Sequence, residues 1–183
     1  MNLANRISIT RIVLIPFFIA AVVYSKLWLA LVIFMIAVIS DGADGFIARA
    51  LKQKTEFGTI LDPVADKLLL ISAYIALSIA NPGKYITIPP YVTIVVISRD
   101  VIIVMGSVMV YMIKGGLKVS PSIIGKITTF FQMMVIVSVL LQFKHSALLW
   151  NAAVIFTLLS GVDYMIKGSR LLSENHFVER RKS

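Results

Sequence analysis

Long apolar runs separated by short polar breaks set the pattern of this chain. The runs are too long for strands and lack the strict alternation of a half-buried sheet, so they predict helices. They cover Ile12–Tyr24, Leu27–Arg49, Thr59–Ala80, Ile86–Ile113, Ile123–Phe143 and Ala147–Ile166. A bilayer core takes about 20 helical residues per crossing. The pattern therefore predicts six transmembrane helices, the first one short and lengthened by its flank. Asn81-Pro82-Gly83, Gly115-Gly116 and Ser120-Pro121 stand in the breaks, and such residues end helices. Pro16 falls inside the first run, where a kink is expected. No repeat or low-complexity stretch interrupts the series, so residues 1–183 read as one membrane domain.

Composition strengthens this reading. The 183 residues are 58% hydrophobic and 15% charged, whereas soluble domains are about 45–50% apolar. The chain has no cysteine, which excludes a disulfide framework and a thiolate metal site. Its net charge of +9 is scattered between apolar runs, with no basic face interleaved with aromatics. Nucleic acid is therefore not expected as a partner, whereas anionic lipid headgroups and anionic substrates are.

The basic residues also orient the spans. With the N-terminus in the cytosol, the inner segments hold Arg6, Arg11, Arg49, Lys52, Lys54, Lys114, Lys118, Lys126, Lys167, Arg170, Arg180, Arg181 and Lys182. The outer loops hold only Lys26, Lys84 and Lys144. This asymmetry places both termini in the cytosol of a bacterial inner membrane or its equivalent. Five further runs after the first argue against a cleaved signal peptide.

Four aspartates interrupt the hydrocarbon. At about 1.5 Å of rise per residue, Asp41 lies about 9 Å and Asp44 about 5 Å inside the inner edge of a ~30 Å core. On the returning span Asp62 lies about 5 Å and Asp66 about 10 Å deep. The spacings i,i+3 and i,i+4 put each pair on one face of its helix, and antiparallel neighbours can bring the faces together. Four such carboxylates repel one another and resist desolvation, a conflict that divalent cations remove. An all-oxygen donor set favours Mg2+ or Mn2+, and two such ions suit displacement at phosphorus. Helix capping, or ion pairs to Arg49 and Lys67, would also account for the acids. A divalent-cation channel or transporter is a further alternative, although no acidic residue stands in the outer half of any run. The nearby Gly42, Gly45 and Ala48 make room for a bulky ligand or serve helix packing.

The residues around the aspartates carry a resemblance. Asp41, Asp44, Gly45, Ala48, Arg49, Gly58, Asp62 and Asp66 stand in the pattern D-x2-D-G-x2-A-R-x8-G-x3-D-x3-D. This resembles the signature of the CDP-alcohol phosphotransferase family at every fixed position. The start, Asn2 to Arg11, is similar to the N-L-P-N-x-L-T-x-x-R opening of phosphatidylglycerophosphate synthases, with Ala4 in place of proline. Ile97-Ser98-Arg99-Asp100 and Gly125-Lys126-Ile127-Thr128-Thr129 with Gln132 resemble segments shared with eukaryotic-type cardiolipin synthases.

The resemblance implies an all-α integral membrane protein with six transmembrane helices preceded by a short N-terminal interfacial helix, to which Leu3 and Ile7 would give an apolar side. It also implies a homodimer. The family transfers a phosphoalcohol from a CDP-linked donor to a hydroxyl and releases CMP. By this resemblance Asp41, Asp44, Asp62 and Asp66 bind two metal ions, Mg2+ or Mn2+, and Asp66 also takes the proton of the acceptor hydroxyl. Asn5, Gly45, Ala48, Arg49, Thr55 and Gly58 correspond to donor positions, the donor being CDP-diacylglycerol.

Two acceptors fit. Glycerol 3-phosphate would give phosphatidylglycerophosphate, and phosphatidylglycerol would give cardiolipin. The chain length and short cytosolic start favour the first, while the Arg-Asp dipeptide and the Leu117–Ser122 approach to Gly125 look closer to the second. A phosphorylated acceptor needs cations, for which Arg99, Lys118 and Lys126 are candidates. Arg99 deep in a span must be used or paired, with Asp100 expected to face another direction. Lys126 lies nearer the interface, where snorkelling would also explain it. His145 falls in an outer loop and His176 in a basic cytosolic tail, Ser173 to Ser183, so neither is a catalytic candidate. Asp163 and Lys167 read as a structural i,i+4 pair.

Overall fold

In the computed structural model the regular structure of the described residues is all helix, with no strand among them. Six helices follow in chain order: α1 Leu3–Val23, α2 Leu27–Ala50, α3 Glu56–Ile79, α4 Pro90–Lys114, α5 Ile123–Leu140 and α6 Ser146–Glu179. The structure describes the backbone of residues 3–50, 56–80, 85–114 and 123–179, and the side chains of residues 10–40, 67–80, 85–106 and 123–166.

Each apolar run of the sequence corresponds to one helix. The ends differ where backbone chemistry overrides the pattern. Residues 86–89 are not helical, and α4 begins at Pro90. Proline is suited to the first helical position, whereas it disfavours helix in the residue before it. The expected surface helix and first span form one element, α1, with Pro16 inside it. Nothing between Thr10 and Ile12 breaks a helix, and the hydrogen bond lost at Pro16 is a single one. At its far end α6 stays helical to Glu179, through most of the expected tail. Its 34 residues make a rod about 51 Å long, well beyond a ~30 Å hydrocarbon core.

The chain divides into two compact units, Met1–Pro90 with Val135–Ser146, and Tyr91–Met134 with Ala147–Ser183. In the first, α1 packs against both α2 and α3. Phe18 of α1 meets Phe34 of α2 with ring centroids 6.0 Å apart. Ala30 and Ala37 on α2 and Ala73 on α3 are fully buried, and their small side chains let helices approach closely.

Two helices in this unit end in the same motif without glycine. Lys26 N donates to Ala21 O and Ser25 N to Val22 O, while Ser25 takes a φ of 58°. Phe143 N donates to Ser138 O and Gln142 N to Val139 O, with Gln142 at 54°. Both are Schellman caps with a non-glycine residue in the left-handed position. The Gln142 side chain also accepts from Ile86 N at 2.7 Å and donates to Ile86 O at 3.2 Å, pinning the segment before α4.

In the second unit α4 and α6 run parallel. Tyr91 Oη donates to Asn151 Oδ1, Arg99 Nη2 to Ser160 Oγ and Tyr164 Oη to Ile103 O. The sequence separation stays at 60 or 61 residues across these bonds, as parallel helices require. α5 is tied to α6 by Thr128 Oγ1 donating to Phe156 O and Gln132 Nε2 donating to Thr157 Oγ1. Phe131 stacks on Phe156 at 4.7 Å along the same seam.

Polar and apolar positions are distributed as expected for lipid solvent. Arg11, Arg99, Asp100, Thr128, Gln132 and Thr157 are buried, while Phe17, Trp28, Ile94 and Leu148 are more than 60% exposed. In water an exposed apolar surface of this kind would drive aggregation. Among the described residues, Ile123–Leu140 and Ser146–Ile166 are long and apolar enough to cross a membrane.

Candidate active site

The carboxylates fall on two consecutive helices. Asp41 and Asp44 lie in the C-terminal part of α2, and Asp62 and Asp66 in the N-terminal half of α3. Both pairs therefore keep the helical spacing that puts each on one face. Residues 51–55 link the two helices, and α1 packs on both. The side chains of all four aspartates lie outside the described residues, as do those of Asn5, Gly45, Ala48, Arg49 and Gly58. Asn5 is on α1, Gly45, Ala48 and Arg49 are on α2, and Gly58 is on α3. Thr55 and Lys118 fall in segments outside the described backbone.

Arg11 is a cation whose role the sequence pattern understated. It was expected to help orient the first span, yet it is only 2% exposed on α1, the helix that contacts both acidic helices. A guanidinium so desolvated needs a specific function or an ionic environment. The available signal was its place as the final arginine of the N-terminal segment that resembles the family's opening.

Among the expected acceptor cations, Arg99 and Lys126 are described. Lys126 is exposed in the first turns of α5 and makes no ion pair among the described residues. Arg99 differs from it in every respect. It is 7% exposed, with Nη1 donating to Asp100 Oδ1 at 2.8 Å and Nη2 to Ser160 Oγ at 2.6 Å. Asp100 was expected to face away, because successive helical residues diverge around the axis. Instead the long arginine side chain curls around α4 to reach it, which an apolar surrounding favours because neither charge has water. The stem of Arg99 passes Gly161, where a β-carbon would stand in ordinary van der Waals contact, 3.9 Å from Arg99 Cγ. Exposed His145 lies 5.6 Å from the Phe143 ring, away from any described acid cluster.

A family model described as CDP-alcohol phosphatidyltransferase matches residues 1–159. The chain belongs to this family. Its similarity to individual members runs nearly end to end. A CDP-diacylglycerol--glycerol-3-phosphate 3-phosphatidyltransferase of Haemophilus influenzae is 34% identical over 182 residues, covering 93% of this chain and 96% of the relative. The protein of the same name from Aquifex aeolicus is 29% identical over 180 residues, covering 94% and 98%. One from Yersinia pestis is 34% identical over 166 residues, covering 85% and 88%. The matched region of this CDP-alcohol phosphatidyltransferase family member contains α2 and α3, and with them all four aspartates.

Proposed function

We propose that this protein is a CDP-diacylglycerol-dependent phosphatidyltransferase of phospholipid biosynthesis, with glycerol 3-phosphate as acceptor and phosphatidylglycerophosphate and CMP as products. The observation that carries this reading is the eight-residue acidic pattern on α2 and α3, within a chain similar over nearly its whole length to enzymes named for that reaction. The acceptor choice follows those names. The protein crosses the membrane six times with both termini in the cytosol, a reading supported by the exposed apolar helix faces and the lysine and arginine bias. The homodimer rests on the family resemblance alone.

Four carboxylates on two helices form an all-oxygen donor set, which fits Mg2+ or Mn2+ and not a soft metal. Asp41, Asp44, Asp62 and Asp66 would hold two such ions, which when bound neutralise the donor diphosphate. Asn5, Gly45, Ala48, Arg49, Thr55 and Gly58 hold the donor around that group. Lys126 and Lys118 attract the acceptor phosphate, and Asp66 accepts the proton of the acceptor hydroxyl. The hydroxyl oxygen then bonds to the phosphorus that carries diacylglycerol. The bond from that phosphorus to the CMP oxygen breaks, and CMP leaves with the bonding electrons.

The test supplies purified protein with CDP-diacylglycerol and Mg2+, with glycerol 3-phosphate or phosphatidylglycerol in parallel. CMP and phosphatidylglycerophosphate are the expected products. Cardiolipin formed only with phosphatidylglycerol would move the protein to the other acceptor. Metal flux into liposomes without CMP from either mixture would replace the enzyme with a cation channel or transporter.

A further inference from the structure

We infer that Arg99 is a positioning residue that locks α4 to α6, and that it does not itself bind the acceptor; this rests on the transferase reading above. A cation that grips a soluble phosphorylated substrate must present donors where that substrate can arrive. Arg99 is nine-tenths buried, and each of its terminal nitrogens already donates to a protein oxygen, Asp100 Oδ1 and Ser160 Oγ. Asp100 is 2% exposed and Ser160 1% exposed, so both terminal nitrogens of Arg99 are spent inside a cluster shut off from solvent, and Nε is buried beside them without a hydrogen-bond partner among the described residues. Its planar fork joins a carboxylate of its own helix to a hydroxyl 61 residues away, a geometry that lysine cannot reproduce.

The same seam is fixed again further along. Tyr164 Oη donates to Ile103 O, and the Tyr164 ring fills the space beside Gly106. Ser160 and Tyr164 are one turn apart on α6, and Arg99 and Ile103 one turn apart on α4, so the two contacts set both register and rotation. α6 holds α5 as well, through Thr128 Oγ1 to Phe156 O at 3.0 Å and the Phe131–Phe156 stack. α6 is thus the shared support for α4 and for the helix that carries Lys126. Loosening α4 on α6 disturbs the frame of the acceptor side without removing a charge from the substrate.

The test compares Arg99→Lys, Ser160→Ala, the double variant and Ser160→Thr in the CMP-release assay with glycerol 3-phosphate. Arg99→Lys keeps the charge and loses the fork, while Ser160→Ala removes only the far acceptor. Each is expected to lower kcat/KM for the acceptor about five- to twentyfold with KM for CDP-diacylglycerol unchanged. The double variant should be no worse than Arg99→Lys, because both remove the same link, and Ser160→Thr should restore most of the activity. Wild-type activity in Ser160→Ala beside a strongly raised acceptor KM in Arg99→Lys would overturn the inference, as would losses that multiply in the double variant. If the wild-type protein releases no CMP, the transferase reading fails instead. The link is then read from thermal midpoints of the same proteins in detergent, where additive shifts would overturn it.

Discussion

Gly106 and Tyr164 meet so closely that a β-carbon on the glycine would lie 2.8 Å from Tyr164 Cε1. A tyrosine ring packed between helices has few rotamers to move into, so the glycine is a steric requirement of the α4–α6 seam. Gly106→Ala should destabilise the protein by about 1–3 kcal/mol and break the Tyr164–Ile103 hydrogen bond. Tyr164→Phe, which keeps the ring and loses the hydroxyl that makes that bond, should lose about 0.5–1.5 kcal/mol. Thermal unfolding in detergent checks both. Full stability of Gly106→Ala would show that the two helices do not meet at this point.

Ser25 and Gln142 occupy equivalent left-handed caps but should respond oppositely to glycine. Ser25→Gly relieves a conformation unfavourable for any residue with a β-carbon, for an expected gain of up to about 1 kcal/mol. Gln142→Gly relieves the same strain but deletes an amide that bonds Ile86 N, Ile86 O and Val139 O. A net loss of about 1–3 kcal/mol is expected, with faster amide exchange at Ile86. A stabilised Gln142→Gly would mean that the side-chain bonds contribute little.

These caps show where sequence reading stops. The helices were legible because each is built on a long apolar run, and Pro90 marked the true start of α4 once its preference for the first helical position is applied. Ser25 and Gln142 were not legible as left-handed caps, since neither residue type signals that conformation, and the bonds that further hold Gln142 come from Ile86, 56 residues away. The spacing of Asp41, Asp44, Asp62 and Asp66 was readable as two helical pairs, and α2 and α3 supply the helices. The pairing of Arg99 with Asp100 was missed because periodicity gives the direction of a Cβ and not the reach of a long side chain. Ser160 was invisible as its second partner, being 61 residues away. The burial of Arg11 likewise depends on how α1 packs, which no local pattern states.

The absence of cysteine makes the topology directly measurable. Lys26 and Lys144 are exposed in the α1–α2 and α5–α6 connections, both assigned to the outer face. Single substitutions Lys26→Cys and Lys144→Cys should react with a membrane-impermeant maleimide added to intact cells. Ser183→Cys should react only after the membrane is opened. Labelling of Ser183→Cys from outside would reverse the orientation and move the acidic pairs to the wrong side for a cytosolic nucleotide.

The last prediction separates the two roles assigned to Asp66. As a base it must accept the acceptor proton, and as a ligand it must help hold a cation. Asp66→Asn keeps the size and one carbonyl oxygen but has no appreciable basicity, so turnover should fall about 100-fold or more. Binding of CDP-diacylglycerol should survive in part, since Asp41, Asp44 and Asp62 remain. Asp41→Asn, by contrast, removes a ligand only, and raising Mg2+ should recover part of its activity but none of that lost in Asp66→Asn. Chelation should stop the wild-type reaction, with Mg2+ or Mn2+ restoring it and Zn2+ failing at an all-oxygen site. Equal recovery of both variants by Mg2+ would remove Asp66 from the role of base and leave it a metal ligand like the other three.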